Sequence, residues 1–434
     1  MDAIPTQGVP NLPPAYLSLR QNFIWTFVGN VVYAGSSWAM LVVLAKLGTP
    51  ETVGQFALGL AVTAPVILFA NLQLRSIQAT DARNEYLFRD YFGLRLVMLA
   101  LALLVIAGIV CLSSYPLELA LTVVVIGFGK AVDAISDVVY GLLQRHEQMD
   151  RISISLILKG ILSLIMLALG QYLTRSVLWA SVGWALASVI VVVFYDLRSA
   201  ALILRRTPHA YDSRIPRFNF LVLRKLTRLA LPLGITMVLL SLGSSIPRYF
   251  VEHYSGERGL GIFAAMAYLM TAGSTVIGAL GQAATPRLAK QYAAGRRPDF
   301  QGLLLKLTGI GALLGGAGVV VAVAAGRPIL TLLYQPEYAT RNDVFIWLMV
   351  AAGISYVASL GGYAITAARY FEIQPIIFAV CTAATLLLCA WLIPPYGILG
   401  AAWATLGASL IQCILVFSYT VYALNKSTGE RIGV

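Results

Sequence analysis

The amino-acid sequence predicts an all-α membrane protein of about twelve transmembrane helices, arranged as two six-helix lobes. Three observations carry that expectation. Apolar residues make up 59% of the 434 and charged residues only 12%, where soluble domains run near roughly 45–50% and 25%. Long apolar runs recur between charge-bearing breaks, and basic residues concentrate in every second break. The longest polar stretch, about 197–225, is too short to form a soluble domain.

A helix needs about 20 mostly apolar residues to cross the ~30 Å hydrocarbon core. Residues 1–19 are Pro-rich and lack the layout of a signal peptide; they are expected to form a disordered cytoplasmic tail. Spans are expected at 22–45, 52–74, 94–113, 117–143, 153–173 and 176–196, making a first lobe over 20–200. A basic cytoplasmic linker, 201–224, leads to a second lobe over 225–425. Its spans are expected at 226–250, 260–283, 303–325, 343–367, 375–394 and 399–423, with a short tail over 426–434. Transmembrane β-strands would read as short alternating segments, unlike these continuous runs. Pro65, Pro232 and Pro247 are expected to bend their helices.

Lys and Arg decide orientation. Arg75, Arg83, Arg89 and Arg95, then Arg145 and Arg151, the run from Arg198 to Arg228, and the group from Arg287 to Lys306 all fall on one side. The other side holds only Lys46, Arg175, Arg248, Arg258, Arg327 and Arg341. Both termini are therefore expected in the cytoplasm of a bacterial inner membrane. The net charge of +12 is explained by basic loops facing anionic lipid, without nucleic acid. Cys111, Cys381, Cys389 and Cys413 lie in or beside apolar runs without a CxxC, and His146, His209 and His253 fall in three separate loops. Neither a disulfide nor a metal site is expected, nor any cofactor.

The halves resemble each other. Gly54-Gln55-Phe56-Ala57 matches Gly261-Ile262-Phe263-Ala264, each opening the second helix of its half; the Tyr140 to Arg145 segment matches Tyr363 to Arg369. Repeated halves are a common transporter plan, with the site between them.

Several segments resemble those of polysaccharide-export flippases: Leu333-Tyr334-Gln335-Pro336-Glu337-Tyr338-Ala339, Tyr396 through Ala404, Pro286 through Gly295, Leu47 through Ala57, and Leu74 through Arg95. The chain is similar on these to the Wzx-type branch of the multidrug/oligosaccharidyl-lipid/polysaccharide (MOP) exporter superfamily, with Gln335 in place of the usual Gly. The resemblance implies a V-shaped, two-lobed flippase, not an enzyme, for undecaprenyl-pyrophosphate-linked glycan repeat units. Its implied partners are that glycolipid, membrane lipids and polysaccharide polymerase machinery, and a monomer is expected. The alternatives are a multidrug or cation antiporter of the same architecture and a membrane-embedded glycan polymerase or ligase. The short external loops and the absence of a paired-carboxylate or P-loop signature argue against the enzyme.

Charges inside the membrane are expensive and mark partners or cavities. Lys130, Asp133 and Asp137 share a face of the fourth span, and counting from the turn puts Asp137 level with Lys159 of the fifth. The expectation is a Lys130–Asp133 pair and an Asp137–Lys159 bridge. This cluster locks the lobe, presents Lys130 to substrate phosphates, or takes up protons on its carboxylates. Arg248 and Glu252 sit four apart near the external end of the seventh span, as a membrane anchor or a phosphate contact. Arg20, Arg75 and Arg369 are further candidates for anchoring or for meeting an incoming pyrophosphate.

Overall fold

The computed structural model describes residues 19–81, 85–206, 215–368, 370 and 372–432. Helix α1 (Leu19–Leu47) passes through a short turn into α2 (Pro50–Asn71), whose start is set by Pro50 and by a reciprocal capping box between Thr49 and Thr52. Leu72 and Gln73, both at positive φ, end α2 before the short α3 (Leu74–Thr80). Then follow α4 (Phe88–Leu112), α5 (Leu117–Arg145), α6 (Met149–Thr174) and α7 (Val177–Val191). A π-turn over Val192–Asp196 joins α7 to α8 (Leu197–Arg206).

The second half holds α9 (Phe220–Ala293), α10 (Arg297–Leu333), the one-turn α11 (Pro336–Ala339), α12 (Asn342–Ala367) and α13 (Ile373–Ile432). Asn219 caps α9 by accepting from the amides of Leu221 (3.1 Å) and Val222 (3.3 Å). A straight α9 would run about 110 Å, several times the hydrocarbon thickness. It is broken at Gly256 (φ 68°, ψ −178°), and α13 is broken at Gly397 (φ 55°, ψ −133°). Such backbone angles are reached at low cost only by glycine. Ten helices are long and apolar enough to cross a membrane; dividing α9 and α13 at their glycines gives twelve crossings among the described residues, in the expected order.

Helices α1 to α7 pack on one another, α9 to α13 do the same, and the two lobes meet chiefly where α2 lies along α9. The cores show how the lobes are set. At one membrane face a single apolar cluster runs through both, joining Leu44, Val53 and Phe56 to Val251, Phe263 and Tyr334. At the opposite face there are separate clusters: Tyr91, Val138 and Leu143 in the first lobe, with Leu226 and Ala230 of α9 reaching in, and Ile277, Phe300 and Leu360 in the second. The lobes are thus joined at one face and divided at the other, which is the V.

The joined face is built on the repeat. A Cβ on Gly54 would meet the carbonyl oxygen of Glu257, and one on Gly261 would meet that of Pro50. Each carbonyl belongs to the residue four before the other glycine, so the contact is self-complementary, as at a two-fold axis. Polar bonds surround it. Gln55 Nε2 donates to Glu257 Oε2 at 2.8 Å, and Arg258 pairs with Glu51 (3.5 Å) and with Glu337. Lys46 Nζ donates to the Thr331 carbonyl at 3.1 Å. Gln335 Nε2 reaches the carbonyls of Ala45 (2.7 Å) and Gly48 (3.0 Å) in the other lobe.

Removing that amide by Gln335→Ala is expected to weaken this latch by about 1–2 kcal/mol, a five- to thirty-fold shift toward separation. Spin labels at the exposed Thr174 and Thr340, one on each lobe, should then report a longer mean distance. An unchanged distribution would show that the latch does not hold this face.

Candidate functional site

The membrane-embedded charges of the first lobe form one network, built differently from the expected pairs. Lys159 of α6 is 4% exposed; its Nζ donates to Asp133 Oδ1 at 3.1 Å and to Ser136 Oγ at 2.6 Å. Ser136 in turn donates to Asp196 Oδ2 at 2.5 Å, and Lys159 lies 3.9 Å from the same oxygen. Asp137 pairs with Arg95 Nη2 at 3.0 Å and with Arg75 at 3.8 Å, while Arg95 also donates to Asn71. Tyr140 ties the two groups together: Arg75 lies 5.4 Å and Lys159 5.8 Å from its ring centroid, and its hydroxyl bonds Ser155 at 2.7 Å. Arg75, Arg95 and Lys159 balance Asp133, Asp137 and Asp196.

Two expected pairs are therefore corrected. Lys130 does not pair with Asp133, because Lys159 reaches that carboxylate from the neighbouring helix. Asp137 does not bridge to Lys159, because Arg95 and Arg75 hold it. Counting residues from a turn gives depth along a helix but not the direction in which each side chain points. The charge pattern groups Arg95 with the loop cations; the structure puts it two turns inside α4, with no exposed surface. Glu252 is half-buried and makes no ion pair with Arg248 among the described residues. The side chain of Arg20 and the whole of Arg369 lie outside the described residues.

Two cations are left over. Lys130 is half-buried, makes no ion pair among the described residues, and sits 5.3 Å from the ring centroid of Trp184 on α7. Arg248 is also half-buried without an ion pair among them, and lines a cavity of about 410 Å³ inside the second lobe. The wall there is rich in hydroxyls, among them Ser244, Thr271, Ser355, Thr382, Thr405 and Ser409, and carries no carboxylate. A second cavity of about 300 Å³ shares Leu240, Ser274, Ser359, Phe378 and Gln412 with it and extends toward Thr366 and Gln374 at the end where the lobes are apart. The repeat in the sequence puts the site between the two halves; this hollow lies within one of them.

A cationic, hydroxyl-lined, carboxylate-free cavity is suited to phosphate and sugar rather than to an organic cation. The description "Polysaccharide biosynthesis protein" matches residues 19–291 as a family. The chain belongs to that family.

Among curated proteins, this member of the family is 28% identical over 406 residues to the "Capsular polysaccharide biosynthesis protein CapF" of Staphylococcus aureus, covering 92% of this chain and 98% of the relative. Solved structures give the fold. An inward-facing multidrug resistance MATE family transporter of the MOP superfamily superposes with a TM-score of 0.72 at 15% identity, over 92% of this chain and 98% of that one. The outward-facing conformation of a transporter so described gives 0.63 at 17% identity, over 93% and 94%. A MOP superfamily transporter from Pyrococcus furiosus, described as having a binding pocket of reverse polarity, gives 0.63 at 16%, over 93% and 94%. The polysaccharide biosynthesis protein thus has ten helices long and apolar enough to cross a membrane, arranged in the fold of those MOP superfamily transporters.

Two residues of its charge network, Arg95 and Asp196, were missed from the sequence. Asp196, with no exposed surface, closes the sixth apolar run and reads there as an interfacial residue. The apparent balance of Lys130 and Lys159 against Asp133 and Asp137 left no charge in need of a partner. The π-turn ending at Asp196 inserts a residue into the helical register, a feature common at functional sites and silent in hydropathy.

Proposed function

We propose that this protein carries lipid-linked oligosaccharide repeat units, joined to the lipid by pyrophosphate, from the cytoplasmic to the outer face of the bacterial cytoplasmic membrane by rocking its two lobes. The observation that carries the reading is the pair of unpaired cations, Lys130 in the first lobe and Arg248 in the second, beside a network in which Arg75, Arg95 and Lys159 are matched by Asp133, Asp137 and Asp196. A pyrophosphate engaged by both would be desolvated by direct charge-assisted bonds. The hydroxyl-lined hollow beside Arg248 would replace the water lost by the sugars. The divided face carries the basic loops, so it is assigned to the cytoplasm. The better superposition on an inward-facing transporter supports a state open to that side. A cation antiporter would need carboxylates in the cavity wall, and none is among the described residues that line these two cavities.

The test is export of glycan in a strain lacking its own flippase. Lys130→Ala and Arg248→Ala are each expected to lower export roughly 10- to 100-fold through the lost charge-assisted bond, with the protein still folded and inserted. Full export by both variants would remove these residues from the site.

A further inference from the structure

The hairpin between α9 and α10 holds a second basic site. A cleft of about 500 Å³ is lined by Arg287, Lys290 and Gln291 on one helix, Arg296 in the turn, and Asp299 and Lys306 on the other. Gly295, at φ 68°, makes the turn, and bonds of 3.0 Å from Gly295 to the Tyr292 carbonyl and from Arg296 to the Gln291 carbonyl fix it. Among the described residues Asp299 forms an ion pair only with Arg296, at 3.9 Å with both side chains exposed, so it offsets little of the charge. Arg287, Lys290 and Lys306 make no ion pair among the described residues. Gln291 adds an Oε1 that is buried without a hydrogen-bond donor.

A preference for cations at this face of the membrane explains their presence; it does not explain their convergence on one cleft beside an unsatisfied acceptor. Below the cleft, α10 continues it as an apolar track. Gly302, Gly309 and Gly316 repeat at heptad spacing on one side of the helix, and nothing lies within 4 Å of a Cβ built on any of them. Leu305 and Leu313 stand beside that track, 74% and 75% exposed.

We propose that this cleft binds the phosphate ester of an anionic lipid, with an acyl chain lying along the glycine track of α10. The cations take the phosphate, and a hydroxyl next to it, as in phosphatidylglycerol, donates to Gln291. Inorganic phosphate offers the same charge without a chain, and the two sources are separated by experiment.

The full-length protein is placed in nanodiscs of phosphatidylcholine containing a minor fraction of spin-labelled phosphatidylglycerol, and the motionally restricted lipid is measured. Arg287→Gln with Lys306→Gln is expected to lower retention roughly thirtyfold, each cation near the surface contributing about fivefold. Gly309→Leu, which fills the track but leaves the cations, should lower it as well. Millimolar inorganic phosphate should leave the wild-type signal unchanged. Equal retention by the wild type and the double variant would overturn the site. Displacement by inorganic phosphate, or full retention by Gly309→Leu, would overturn the lipid assignment. The readout is independent of glycan export, so it stands or falls apart from the flippase reading.

Discussion

Lys159→Ala is expected to destabilise the folded protein by about 3–5 kcal/mol, the cost of stripping one partner from a buried ion pair. The ammonium is 4% exposed and serves Asp133, Ser136 and, through Ser136, Asp196. Without it, two carboxylates face each other in a nearly dry lobe. Neutralising one of them as well, in Lys159→Ala with Asp133→Asn, should recover part of the loss, because the uncompensated charge rather than the missing contact dominates the cost. Thermal unfolding of the detergent-solubilised protein reads both variants. A single variant as stable as the wild type would mean that the network does not hold the lobe together.

Gly54→Leu is the second large effect. The side chain would be driven into the Glu257 carbonyl and toward the amide of Gly261, and backbone cannot yield as a side-chain tip does. Overpacking costs about 1–3 kcal/mol where a core can adjust; here the upper end is expected, with loss of glycan export. Gly35→Ala is the matched control, since nothing lies within 4 Å of its Cβ position, and it should keep stability and export. A Gly54→Leu protein with wild-type unfolding and full export would show that the lobes do not need this close crossing.

The architecture was legible because its cause is simple: a chain that must cross lipid writes each crossing as some twenty apolar residues. The expected breaks near 250–260 and 394–399 hold Gly256 and Gly397, where α9 and α13 divide. The matching Gly54 and Gly261 segments proved to touch each other across the repeat axis. Gln335, the position at which its segment departs from the pattern it resembles, ties the two lobes together through its amide.

The pairing of charges was not legible. Which face of α5 meets α6, and which meets α4, depends on helix rotation and tilt, and these are set by packing. Lys130 and Arg248 were both singled out from the sequence. That both stand outside the charge network follows only once Arg75, Arg95 and Asp196 are seen to complete it. The hollow beside Arg248 needed the folded helices too, since its hydroxyls come from far apart in the chain.

The central claim is tested most directly by reconstituting the protein in liposomes that carry a pyrophosphate-linked oligosaccharide lipid in both leaflets. A membrane-impermeant glycosidase added outside reports how much of the lipid becomes accessible. The account predicts that the wild-type protein brings nearly all of the glycan within reach of the enzyme, while Lys130→Ala with Arg248→Ala leaves the inner-leaflet share protected. Protection unchanged by the wild-type protein, or full accessibility with the double variant, would contradict it.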